Sequence, residues 1–145
     1  TGQDTSFWFK LKLTGVLMDM LRGQVNPAIE HASRLDFVLA PGHEAARRRF
    51  VEILKANPQN LTHKNLVKPR PPAVPQLGQI KAPTLILVGD HDAGDNKRNA
   101  REIADRIPGA KLVVMPDSGH MMYLEHPDAF TDQVIAMTEG GRPKP

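Results

Sequence analysis

Two short apolar runs with one helix-length segment between them limit this fold more than any other feature of the chain. Pro83-Thr84-Leu85-Ile86-Leu87-Val88-Gly89 and Lys111 to Met115 are too short for helices, lie between Pro and Gly residues, and suit strands buried on both faces of a parallel sheet. Asp95-Asn96 can cap a helix from about Lys97 to Ile107, which Pro108-Gly109 stops. Pro127 opens a last helix whose Phe130, Val134 and Met137 face one way, to about Thr138. The order over residues 77–138 is strand, helix, strand, helix, and such a crossover within about 30 residues is right-handed. The fold class is therefore α/β. Two parallel strands need helices on both faces and further strands at their edges, so the remaining strands are expected before Thr1 in a parent protein or on another copy of the chain.

Residues 1–68 read instead as helices. Leu13, Val16, Leu17, Met20 and Leu21 share one helical face, and Gly23 follows at the C-cap position. A second run from Pro27 to Leu39 ends at Pro41-Gly42, and a third from Glu44 to Ala56 ends at Asn57-Pro58. Phe7, Trp8, Phe9, Met18 and Met20 are expected in the core of this layer or, where it folds over a cleft, lining an apolar pocket. Residues 69–76 form a proline-rich connector, and residues 139–145 read as a flexible tail.

The 145 residues suffice for one folding unit. The net charge of +3 is scattered, with its densest run, Arg47-Arg48-Arg49, reading as a solvated helix face; no basic stripe interleaved with aromatics points to nucleic acid. Zero cysteines exclude a disulfide framework, a thiol nucleophile and a thiolate zinc site. No apolar run approaches the roughly 20 residues that span a bilayer, and the first residues lack the basic and apolar regions of a signal peptide, leaving the cytoplasm as the default location.

Both strands run out into loops rich in chemistry. Gly89-Asp90-His91-Asp92 leaves the first, Asp117-Ser118-Gly119-His120 leaves the second, and in open α/β sheets reacting groups collect at those carboxyl ends. Asp92 and His120 are placed to meet as the acid and base of a triad, in which the carboxylate fixes the imidazole tautomer and Nε2 moves the nucleophile's proton.

These motifs, with Ile107-Pro108-Gly109-Ala110 and Leu124-Glu125-His126-Pro127-Asp128-Ala129-Phe130 in order, closely resemble the last two strands of the α/β-hydrolase superfamily over about residues 77–138. The resemblance is nearest to the small-molecule ester, enol-lactone and carbon–carbon bond hydrolases and the cofactor-free haloperoxidases. It implies a partial α/β-hydrolase fold with the helical half as its lid, Asp92 as acid with Asp90 in reserve, and His120 as base. The nucleophile elbow Gly-x-Ser-x-Gly and an HGGG-type loop do not occur, although in this fold the nucleophile precedes the acid and base.

Of the three serines, Ser6 reads as a helix N-cap, Ser33 sits mid-helix and Ser118 shapes the loop before His120. His91 and His126 read as loop and capping residues, and His31, His43 and His63 as solvent-facing. Asp90, His91, Asp92 and Asp95 are too close along a tight turn to converge on one ion. The expected activity is hydrolysis of an ester or related acyl compound, such as an esterase, lactonase or carbon–carbon hydrolase performs, with the serine outside this chain and with neither cofactor nor metal. The alternative is an inactive module that self-associates as a homodimer or complements a separate N-terminal half.

Overall fold

Gly23 ends the first helix where the apolar pattern places its stop. In the computed structural model, which describes residue 11, residues 13–59 and residues 73–140, helix α1 spans Thr14–Leu21. Gly23 N–H donates to Met20 O at 3.0 Å and Gln24 N–H to Asp19 O at 2.8 Å. That pairing requires a left-handed residue, which Gly23 supplies with φ of 72°. Helix α2, Val25–Ser33, packs so tightly on α1 that a Cβ on Gly15 would lie 2.7 Å from the His31 ring. Helix α3, Glu44–Ala56, keeps the expected bounds and buries Ala46 and Phe50.

Helix α2 stops at Ser33, short of the expected Leu39. The N–H groups of Arg34 and Leu35 turn back to His31 O and Ala32 O, both at 3.2 Å, and tighten its end. The chain then presents Phe37 O to His120 N–H at 2.9 Å and Val38 O to Met121 N–H at 3.0 Å. Tertiary bonds have displaced helical ones. The face predicted for α1 is also only partly covered among the described residues: Leu13, Val16 and Met20 are half-buried, whereas Leu17, Met18 and Leu21 are exposed. Ser6, Phe7, Trp8, Phe9, His63 and the first four positions of the connector lie outside the described residues. The connector's end is helical rather than extended, because Pro75 opens a 3-10 helix over Val74–Gln79, where its missing N–H costs nothing.

Strand β1, Leu85–Gly89, helix α4, Gly94–Arg106, and strand β2, Lys111–Met115, form the expected crossover unit. The strands pair in parallel from Leu85 opposite Lys111 to Gly89 opposite Met115. Helix α4 begins before the expected Lys97, and its foreseen caps do other work: Asp95 pairs with Arg98, and Asn96 donates to Asp92. Burial on both faces holds only toward the strand ends, at Val88, Gly89 and Met115, while Val114 is 48% exposed. Among the described residues neither sheet edge has a further strand.

A single turn, α5, Met122–Glu125, follows the second loop, and α6, Pro127–Gly140, closes the described chain, taking in the start of the expected tail. The main buried cluster is Leu39, Ala46 and Phe50, packed by Val38, Leu54, Met121 and Leu124. It joins the helical layer to the segment after His120. Among the described residues no helix is long and apolar enough to cross a membrane.

Candidate functional site

The two strand-exit loops can lie against each other only because Gly89 has no side chain. A Cβ there would overlap the backbone of Ser118 and Gly119, lying 2.7 Å from the Ser118 carbonyl carbon. Across this contact Asp90 N–H donates to Met115 O at 3.0 Å and His91 N–H to Ser118 O at 2.9 Å. In return Asp90 Oδ1 accepts the Ser118 N–H at 3.0 Å. That amide holds the Asp90 carboxyl below its usual range, against the smaller opposing effect of burial. Asp90, the reserve acid, is thus committed to joining the loops.

Asp92 is buried, 4% exposed, and accepts three hydrogen bonds. Oδ1 takes the Ala93 N–H at 2.7 Å and the Asn96 amide at 2.8 Å; Oδ2 lies 3.0 Å from His120 Nδ1. With Nδ1 carrying the proton shared with Asp92, the 3.3 Å approach of Asn96 Nδ2 to that same nitrogen adds no bond. The hydrogen bond to Asp92 raises the His120 pKa, with desolvation opposing it. The His120 side chain is 54% exposed, and its Nε2 has no hydrogen-bond partner among the described residues. The arrangement is a proton acceptor oriented from behind and open in front.

The backbone around His120 is held from the helical layer. Gly119 passes so close to Val38 and Leu39 that a Cβ would lie 2.7 Å from Val38 O. Buried Glu125 accepts the Ala40 N–H at 2.5 Å and the Gly119 N–H at 2.9 Å to one oxygen and 3.1 Å to the other, clasping the two segments together. Sequence reasoning missed this role, and it missed Asn96, whose only signal was its position one helical turn beyond Asp92.

Neither described serine offers a nucleophile. Ser118 is fully buried and donates to Pro116 O at 2.9 Å; Ser33 is 1% exposed and donates to Glu30 O at 2.7 Å. Within the Asp90-to-Asp95 group, Asp92 faces His120 and Asp95 faces Arg98. Two readings of the helical half need correction. His43 is not solvent-facing: its Nε2 lies 3.1 Å from both Asp117 O and Asp117 Oδ2, and its ring meets that of His126 edge to face at 4.8 Å. Arg47 turns inward, leaving Arg48 and Arg49 on the solvated face. His31 is exposed and pairs with Asp19 at 3.1 Å, and His91 is exposed.

The Asp92–His120 pair thus sits at the exits of two adjacent parallel strands of an α/β unit, and comparison with known proteins identifies the class of fold. The model of the alpha/beta hydrolase family matches residues 7–133, and the chain belongs to that family. It is 38% identical over 63 residues to a pimeloyl-[acyl-carrier protein] methyl ester esterase of Pectobacterium atrosepticum, covering 43% of this chain and 25% of the relative. It is 34% identical over 86 residues to a 2-hydroxy-6-oxononadienedioate/2-hydroxy-6-oxononatrienedioate hydrolase of Klebsiella pneumoniae, covering 59% and 27%. A thermophilic esterase from Thermogutta terrifontis superposes with a TM-score of 0.70 at 23% identity, covering 97% of this chain and 53% of that structure. The matches thus span about a quarter of these curated relatives and about half of the solved esterase.

Proposed function

We propose that the chain supplies the acid and base of a Ser-His-Asp triad in a hydrolase of carboxylic esters or related acyl compounds, with Asp92 orienting His120. The observation that carries this reading is the 3.0 Å bond between His120 Nδ1 and buried Asp92, with Nε2 left open. A serine hydroxyl would attack the substrate carbonyl as its proton passes to Nε2. The proton then goes to the leaving alcohol, and the same nitrogen takes one from the water that releases the acid. The serine and oxyanion hole come from outside these 145 residues, and the helical layer acts as the lid over an apolar small-molecule acyl substrate. Hydrolysis of an ester, a lactone or a carbon–carbon bond would each suit this machinery, and the methyl ester esterase and oxononadienedioate hydrolase relatives support hydrolysis of a small acyl compound.

The test is intact-mass spectrometry after treatment with a fluorophosphonate, a reagent for activated serines. The chain alone should take no adduct; coexpressed with a hydrolase segment bearing a nucleophile elbow, the assembly should be labelled and should cleave p-nitrophenyl esters. Labelling of the lone chain that disappears in His120→Ala would refute the reading. So would ester cleavage that survives His120→Ala in the assembly.

A second reading rests on the two unpaired sheet edges among the described residues. An uncovered parallel edge is a template for pairing, so the chain would act as a self-associating module without activity. Sedimentation at micromolar concentration separates the two: this reading requires a dimer, and a monomer that labels only with its complement excludes it.

A further inference from the structure

We propose that His43, Asp117 and His126 bind a divalent transition-metal cation of the zinc class at the junction of the helical layer and the histidine loop. Three separate elements bring one donor each: the residue before α3, the left-handed turn of the second loop, and the residue before α6. The two Nε2 atoms converge on the same carbonyl, Asp117 O, from 3.1 and 3.0 Å, and Asp117 Oδ2 lies 3.1 Å from His43 Nε2. The three ligand atoms lie within 4.8 Å of one another. The rings meet at 79° rather than stacking, so the nitrogens approach from different directions.

Two imidazole nitrogens and one carboxylate oxygen, with a position left for water, form a donor set suited to zinc, whose bonds of roughly 2.0–2.2 Å would draw the more distant of these donors together. Asp117 holds φ of 49°, a conformation glycine takes more readily, yet the residue there carries a carboxylate turned toward an imidazole. Among the described residues no Lys or Arg pairs with that carboxylate, and neither Nδ1 has a partner. Each ring can therefore carry its proton on Nδ1 and offer Nε2 to a cation, giving up only its bond to Asp117. A bound cation would tie α3 and α6 to the loop three positions before His120.

Isothermal titration of the metal-stripped 145-residue chain with Zn²⁺ alone tests this, with folding of each variant checked by circular dichroism. The wild type and His120→Ala should each bind one equivalent. His43→Gln and His126→Gln keep an N–H for the Asp117 carbonyl but lose the ligand, and each should weaken binding by at least the roughly 10–100-fold that removing a supporting group costs a metal site. Asp117→Asn, at an exposed side chain, should weaken it too and serves if a histidine variant fails to fold. Absence of binding by the wild type overturns the proposal, as does unchanged affinity in folded His126→Gln and Asp117→Asn. Loss of binding in His120→Ala alone places the cation at the Asp92 pair and overturns it as well.

Discussion

Asp92 meets three donors with two oxygens, and that crowding decides how His120 behaves. Because its charge favours the imidazolium, Asp92→Asn should lower the His120 titration midpoint, read by NMR of the imidazole. In the assembly proposed above, the same change would remove the tautomer control of the carboxylate, and ester cleavage should fall by an amount on the order of 10⁴. The raised pKa also sets two opposite pH trends. Only neutral His120 takes a proton, so cleavage should climb as pH rises through the raised value. Folding stability runs the other way: the stabilisation from the His120–Asp92 bond is complete below the unfolded value of roughly 6.5 and fades as pH rises through the folded one. Since the ring is half exposed, solvent screens this effect, and denaturant titrations should show a shallow decline that Asp92→Asn abolishes. The pair itself was legible because both residues sit just past the ends of apolar runs. Asn96 and Glu125 were not, since a polar residue in a helical stretch reads the same whether it faces water or a buried carboxylate or amide.

Elements were legible where local chemistry decides them and misread where a distant partner does. Helix α3 kept its bounds because Asn57-Pro58 ends any helix, and Gly23 ended α1 for a similar local reason. Helix α2 lost its last turns to the carbonyl bonds that Phe37 and Val38 make with the histidine loop, which no periodicity announces. The same junction makes a stability prediction. Glu125→Ala strands the buried amides of Ala40 and Gly119, at about 1–3 kcal/mol for each unsatisfied group. Gly119→Ala forces a Cβ onto the Val38 backbone and should cost about 1–3 kcal/mol. Thermal melts of the two single variants and the double should be less than additive, because either change alone loosens the one clasp that both depend on.

On the scale of the whole molecule, the α/β class and the crossover unit were readable, because burial patterns of short strands survive in any one segment of a sheet. The covering of that sheet was not, and its half-exposed strands show how little a two-stranded unit encloses. The described core instead lies between the helical layer and the residues after His120. The amides of His120 and Met121 are bonded to carbonyls far upstream, so the histidine loop has no private stability. In hydrogen-exchange experiments those two protons should leave at the rate at which the helical layer detaches, faster in Glu125→Ala, and a slow exchange there would make the backbone of His120 a clock for the opening of a distant part of the chain.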